Sequence, residues 1–436
     1  MARRVRQRGL DSGDEGRHMD DVWFQRDDHT ELIRATYVMA SPEGSAAAAA
    51  AKLAVGQTTG TWVDVPGVTE RMRREHEGRV IRVIEVPSVD VGTADRATHA
   101  LMTIGIPAAN VGGDIPTLLT TVLGNDASTS VLAKLVELEL PVSFHDAAGG
   151  PRVGLEGIRE LTGVRTRPLL LSMIKPCIGL TLEESARIFR ETALGGADII
   201  KDDEVLTHTT NSSPVDRVRA IAREAHRVFE ETGRRVPYAV NITGRPDRML
   251  ADARACRDEG ATALMINYAA AGYGAVQMVR DAVDLPILGH FAGSGPFIES
   301  PHSGMVGAIA TGQLPRLAGA DMAMILTPWG GYPLSEHTYR QTVSALRSPV
   351  PGLKPALPLI GGGVHPGMVE RYVSDLGHDI ALSPGGGVHG HPGGSRAGAA
   401  AMRQAIDAVL DGRPMLEAAR EHPELRAALE AFGTGI

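Results

Sequence analysis

The sequence predicts an α/β protein: a C-terminal (β/α)8 barrel behind a smaller N-terminal α+β domain of ferredoxin-like type. From about residue 165, apolar runs and amphipathic stretches alternate without a break. The apolar runs are continuous, as expected of strands buried on both faces of a parallel sheet. Eight such units fill roughly 250 residues, which matches the count and length of a closed barrel. An open, doubly wound sheet is the runner-up, but eight units in unbroken alternation favour closure.

The chain begins "MARRVRQRGLDSGDEGRHMDD", which is charged and lacks the apolar run of a signal peptide. Residues 1–28 read as a mobile leader. Residues 29–150 form the N-terminal domain. There "TELIRATYVMA" and "RVIRVIEVP" read as strands, and "SAAAAAAKLAVGQ" and "TSVLAKLVELEL" as helices. The alanine run at 46–51 favours a packed helix over a linker, since alanine has the best helix propensity. Residues 151–436 form the barrel.

Its first unit is "RPLLLSMIKP" followed by the helical "LEESARIFRETALGG", which ends in glycine. The second is "ADIIKDDE" with "DRVRAIAREAHRVFEET". "YAVNITG" and "RMLADARACRDEG" make the third, "ALMINY" and "GAVQMVRDAV" the fourth, "PILGHFAG" and "GMVGAIATGQL" the fifth. "MAMILTPWG" precedes "EHTYRQTVSALR", "ALPLIGGG" precedes "GMVERYVSDLG", and "IALSPGGG" precedes "SRAGAAAMRQAIDAVL".

Composition excludes several classes. With 436 residues and 43% hydrophobic content, the chain can build a large core. A net charge of -8 gives no footprint for nucleic acid. Two cysteines, Cys177 and Cys256, make no disulfide framework. No stretch of about 18 apolar residues is present to span a membrane. A soluble, cytoplasmic protein is the expectation.

Barrel enzymes place their chemistry at the C-terminal ends of the strands. Those ends carry Lys175, then Lys201, Asp203 and Glu204, then Asn241, Asn267, His290 and Thr327. The last two strands end in triple glycines: Gly361, Gly362 and Gly363, then Gly385, Gly386 and Gly387. Glycines let backbone N–H groups approach phosphate oxygens, and the loops after strands 7 and 8 are a barrel's usual phosphate site. Tight turns needing positive φ explain one such triplet; two on the expected strands favour phosphate binding. In "KDDE", strand alternation puts Lys201 and Asp203 on one face and Asp202 on the other. Two converging carboxylates suit Mg²⁺. An ammonium has no lone pair to join them, but Lys201 carbamylated by CO₂ would be an anionic oxygen ligand. A plain ion-pair cluster of Lys201 with Asp203 and Glu204 explains the residues equally well. His389 and His391 read as contacts to helix or substrate, Cys177 as a small spacer, and Trp62 and Trp329 as pocket walls or plain packing.

"IKPCIGLT" with "GGADIIKDDE" resembles the large subunit of ribulose bisphosphate carboxylase (RuBisCO), and the likeness runs through nearly the whole chain after the leader. "TTGTW" is similar to that family's N-terminal phosphate segment, "LGN" to its N-terminal active-site asparagine, and "GGGVHPG" and "GGGVHGHPGG" to its last two phosphate loops. The resemblance implies carbamylated Lys201 with Asp203 and Glu204 as Mg²⁺ ligands. It implies Lys175 as an enolising base and His290 as a second acid/base. Thr61, Gly363, Gly385 and Gly386 would bind one phosphate. It also implies a homodimer in which Thr61, Trp62 and Asn125 reach the partner's barrel.

The departures bear on substrate. Cys177 stands where the family has a second lysine, and Gly56 where it has a glutamate. Phe291, Met324 and Gly361 replace the Arg, His and Ser that hold a second phosphate, and "TPWGGYPLSEH" lacks the loop lysine that polarises CO₂. The chain therefore resembles a RuBisCO-like (form IV) protein acting on a monophosphorylated keto acid or ketose, and not a carboxylase. Among the chemistries of that group, retention of the "KP" lysine favours decarboxylation or hydrolytic transcarboxylation of the 3-oxo-isoapionate 4-phosphate type. The alternative is the methionine-salvage enolase that tautomerises 2,3-diketo-5-methylthiopentyl 1-phosphate. "YAVNITGR" and "GGGVHGHP" are similar to that enolase; Asn125 and Pro176, where it has lysine and glycine, count against it. A catalytically silent phosphosugar-binding protein is the reading from a different class.

Overall fold

A computed structural model describes residues 31–41, 45–60, 65–86, 98–130, 133–331 and 334–435. The leader at 1–28, Thr61 and Trp62 lie outside the described residues.

Four strands make the N-terminal sheet: β1 (Leu32–Ser41), β2 (Arg79–Val86), β3 (Thr98–Pro107) and β4 (Ala133–Glu139). They pair antiparallel in the order β2-β3-β1-β4. The alanine-rich segment is a helix, Ala46–Gly56. It buries Ala46, Ala50, Leu53 and Ala54, the i, i+4, i+7, i+8 stripe of a helix lying on a sheet.

Residues 129–140, expected as a helix, contain β4 instead. A bulge explains the misreading. Tyr37 faces Leu135 and Thr36 faces Glu137, so Val136 is an extra residue in the ladder. Burial then falls on Ala133, Leu135 and Leu138, and the last gap of three imitates a helical stripe. β3 was not expected, nor were the terminal helices Met415–Glu421 and Pro423–Phe432.

The barrel closes from eight parallel strands: β5 (Leu169–Met173), β6 (Ile199–Lys201), β7 (Tyr238–Asn241), β8 (Ala263–Asn267), β9 (Ile287–His290), β10 (Met322–Leu326), β11 (Leu357–Gly361) and β12 (Ala381–Ser383). Every expected strand is present, and the helices follow in the expected alternation. The fifth crossover departs from the expected α-helix: Ala308–Gln313 is a π-turn before the helical Leu314–Ala318. Pro315 has no N–H for the α ladder, which fits the change of pitch beside it.

Leu169, Leu171, Ile199, Ala239, Leu288 and Leu359 belong to a buried cluster inside the barrel, separate from the layer between strands and helices. Alternation carries the same inward face forward to Lys201, Asn241, Asn267 and His290. A packed apolar interior thus ends in a polar ring. The N-terminal sheet is joined to that end of the barrel: Leu135 N–H donates to Gly304 O (2.9 Å), Val306 N–H to Leu135 O (3.0 Å), and Lys134 Nζ to Ile298 O (2.7 Å).

Candidate active site at the barrel mouth

The three successive carboxylates after Lys201 do not face one another. Asp202 turns outward, fully buried, and accepts from Arg217 Nε (2.9 Å), the Asn241 N–H (2.9 Å) and the Tyr238 hydroxyl. Asp203 turns inward and accepts from Lys175 Nζ at 2.5 Å and from the Val205 N–H at 3.3 Å. Glu204, half-buried, has Oε2 3.7 Å from His290 Nε2. Asp202 and Asp203 therefore each have their own cation, and Glu204 turns toward His290.

Lys201 is 0% exposed, and its Nζ donates to the carbonyl of Asp202 at 2.9 Å. Burial holds this amine below the usual lysine range; Glu204, Asp203 and Asp202 oppose the shift only in part. A neutral amine has the lone pair that addition to CO₂ requires. Burial would raise Asp203, but the hydrogen bond and charge of Lys175 bring it below the ordinary carboxylate range. Burial would lower Lys175, but its hydrogen bonds to Asp203 and Cys177 outweigh that and raise it. His290 is held well below the ordinary histidine range by burial first and the Lys201 charge second. The Ala292 N–H donates to His290 Nδ1 (3.2 Å), which assigns the ring proton to Nε2, toward Glu204.

Among the described residues, no group of three or more His, Cys, Asp or Glu side chains forms a ready metal site. Two carboxylates and a buried amine of lowered basicity stand together instead. That donor set fits a hard cation once the amine carries a carboxylate of its own.

The two glycine loops pack against each other. A Cβ on Gly387 would lie 2.4 Å from Val364 O, and one on Gly363 would lie 2.7 Å from Gly330 Cα. Gly362 and Gly363 have φ of 90° and 67°, open to glycine but costly for other residues. Gly385 lies against the Lys175 stem: a Cβ there would be 3.3 Å from Lys175 Cε. Gly386, Lys175, Pro176, His389 and Gly390 line a cavity of about 380 Å³ at the start of the short helix Gly386–His389. The lysine and the second glycine loop thus share one concavity.

Apolar groups stand at the ends of β9 and β10. Phe291 stacks on His290, with ring centroids 4.9 Å apart and planes at 20°. Met324 is buried, and its methyl occupies the space a side chain at Gly361 would take, since a Cβ there would be 2.4 Å from Met324 Cε. Gly361 is therefore a packing partner of Met324 as well as the start of a glycine loop.

Other expected residues fall elsewhere. Asn125 is exposed on the N-terminal part of the chain, its carbonyl accepting from Thr129 Oγ1 (2.5 Å), and is not among the groups gathered at the rim. Asn241 and Asn267 hold backbone: Asn241 Nδ2 donates to the carbonyls of Asp203 (3.1 Å) and Glu204 (3.0 Å), and Asn267 Nδ2 to that of Glu204 (2.8 Å). His391 is a packing residue, Nε2 to Glu424 O at 2.9 Å. His389 stands between Ser172 Oγ (3.3 Å) and Ser395 Oγ (2.9 Å) and lines the Lys175 cavity. Cys177, expected as a spacer, has its sulfur 3.0 Å from Lys175 Nζ. The Arg217–Asp202–Tyr238 cluster went unseen in the sequence, where only the outward turn of Asp202 was legible.

The family model of the ribulose bisphosphate carboxylase large chain, catalytic domain, matches residues 154–432. The 2,3-diketo-5-methylthiopentyl-1-phosphate enolase of Bacillus licheniformis is 39% identical over 407 residues, 93% of this chain and 98% of that one. The crystal structure of a rubisco-like protein (MtnW) from Alicyclobacillus acidocaldarius matches with a TM-score of 0.85 and 39% identity, covering 92% of this chain and 100% of that one. Dimeric archaeal Rubisco from Hyperthermus butylicus matches with a TM-score of 0.85 and 27% identity, covering 95% and 99%. These likenesses overturn the expectation of a decarboxylase or hydrolytic transcarboxylase, and with it that of a lyase or hydrolase. Curated relatives carry the name of the enolase that stood second.

Proposed function

The chain belongs to the ribulose bisphosphate carboxylase large-chain family as a RuBisCO-like member, and from that premise we propose that it is a 2,3-diketo-5-methylthiopentyl-1-phosphate enolase. The observation that carries this reading is the pairing of a polar ring with an apolar far end. Lys175, Lys201, Asp203 and Glu204 stand together, while Phe291 stacks on His290 at the end of β9 and the Met324 side chain fills the space beside Gly361. A substrate with one phosphate and a thioether tail matches that polarity: phosphate at Gly385 and Gly386, methylthio group on Phe291 and Met324. A second phosphate would meet no donor on either side chain.

Lys201 as a carbamate, with Asp203 and Glu204, would hold Mg²⁺. When bound, the cation would supply a Lewis acid that stabilises negative charge on a substrate oxygen as an enolate forms. Enolisation moves one proton from the carbon beside a keto group to oxygen, with no loss of carbon. Lys175 is the group placed for that transfer, because its stem lies along Gly385 and its ammonium meets Asp203. It stays cationic while Asp203 faces it. If Asp203 served as a cation ligand, Lys175 would lose the first of the two partners that raise it, and burial would act to lower it toward the range of a general base. His290, neutral and with its Nε2 proton toward Glu204, is the second group able to carry a proton. Phe291 covers one face of its ring and restricts water there.

The test is product analysis. Purified protein with Mg²⁺, bicarbonate and the diketone phosphate should give a product of unchanged mass whose enol is visible by NMR and ultraviolet absorbance. A product short of CO₂ or of a two-carbon acid, or no turnover of this substrate, defeats the proposal.

A further inference from the structure

Arg217 lies in the first turn of the helix Pro214–Thr232 and is 1% exposed. A guanidinium carries five N–H donors and no acceptor, and it is costly to bury unless those donors are met. Here Nε donates to Asp202 Oδ2 (2.9 Å), Nη1 to the carbonyls of Thr207 (2.8 Å) and Ser212 (2.9 Å), and Nη2 to the carbonyls of Asn241 (3.0 Å) and Leu206 (3.4 Å). Those acceptors lie at the C-terminal ends of β6 and β7 and in the loop that leaves β6. One side chain therefore ties that loop, strand β7 and Asp202 together.

Asp202 connects this knot to the residues of the ring. The Tyr238 hydroxyl and the Asn241 N–H complete its carboxylate. Its carbonyl accepts from Lys201 Nζ, and the next two carbonyls are held by Asn241 and Asn267. The backbone from 202 to 204 is thus anchored at each carbonyl and at the outward side chain. A strand end carrying a lysine and two inward carboxylates would otherwise relax to separate them.

We propose that Arg217, acting through Asp202 and seconded by Tyr238, is a positioning residue that fixes the Lys201, Asp203 and Glu204 segment in the conformation that accepts CO₂ and Mg²⁺. The inference rests on the reading of those three residues as a Mg²⁺ centre. Substituting groups that orient metal ligands from behind commonly lowers metal affinity on the order of 10–100-fold.

The experiment uses the full chain carrying Arg217→Lys or Tyr238→Phe. Lysine keeps the charge and loses the fork; phenylalanine removes one hydroxyl. Two readouts need no turnover. One is the Mg²⁺ concentration dependence of the melting temperature at fixed bicarbonate. The other is the carbamate signal by NMR after loading with ¹³C-bicarbonate. Both variants should need about 10–100-fold more Mg²⁺ for the same stabilisation and show a weaker carbamate signal. Folded variants that bind Mg²⁺ within about twofold of the parent and keep the full carbamate signal reduce the cluster to a structural role and overturn the inference. If Arg217→Lys does not fold, Tyr238→Phe alone decides. A parent chain whose stability ignores Mg²⁺ and bicarbonate defeats the Mg²⁺ reading itself, and this inference with it.

Discussion

At the scale of single residues, partner geometry gives "KDDE" its meaning. Asp202 and Asp203 are adjacent and both buried, yet one completes an outward arginine and the other an inward lysine. The extended backbone leaving β6 sends them to opposite sides, and their partners hold them there. Lys175 is the residue on which turnover should depend most. Its ammonium is 2.5 Å from Asp203, and its stem forms one wall of the cavity beside Gly386. For Lys175→Ala the expected loss in kcat is on the order of 10²–10⁴-fold, the range for a positioned acid or base, with a smaller change in KM. Steady-state kinetics on the diketone phosphate checks this; a variant that loses only KM assigns Lys175 to binding. The Cys177 sulfur sits 3.0 Å from the same nitrogen.

At the scale of elements, the glycine loops show which backbone freedom the site requires. Gly363 combines φ of 67° with a backbone neighbour, Gly330 Cα, where a Cβ would project. Neither a rotamer change nor a side-chain shift relieves that contact. Gly363→Ala is expected to cost on the order of 1–3 kcal/mol and to raise KM for the phosphorylated substrate; calorimetry and kinetics would read the two effects separately. Gly361→Ala differs, since its neighbour is the flexible end of Met324. The strands and glycine loops were legible because burial on both faces leaves continuous apolar runs. The inward residues of the ring were legible by alternation. β4 was not, because the bulge at Val136 shifts the period from two to three at its end. Nor was Arg217, which acts across strand ends brought together only by barrel closure, so no local pattern marks it. The choice between decarboxylation and enolisation was misjudged from the sequence: cleaving a C–C or a C–H bond beside a carbonyl leads to an enolate either way, so the same ring residues fit both, and the retained lysine before Pro176 did not separate them.

At the scale of the whole molecule, the site is a property of the closed barrel and of what covers it. Asn125 is exposed on its own chain, and the dimeric archaeal Rubisco shares the fold along nearly its full length. We propose, as a further prediction, a dimer in which the N-terminal domain of one chain covers the barrel of the other. Light scattering should give twice the chain mass, and a fully active monomer counts against it. The barrel also predicts a pH response. Burial is the largest cause lowering His145, His290, His365 and His389 below the ordinary histidine value. In the unfolded chain each titrates near about 6.5. As pH falls through that value the unfolded state takes up protons that the folded state refuses, so stability rises with pH in this window. The contribution is fully present above the unfolded pKa and is lost as pH falls toward the lower folded values. Asp203, also lowered, acts with the same sign but in the carboxylate window, near about 4 and below. Calorimetry in EDTA, which keeps divalent cations out of the balance, should show the melting temperature falling between pH 7 and pH 5.5, above the ordinary carboxylate range. Replacing the fully enclosed His290 by Gln, which cannot take a proton, should flatten that slope. A melting temperature that is level or rises across the interval would mean that these histidines meet water or anions in the folded chain, and that the barrel mouth is more open than its packing indicates.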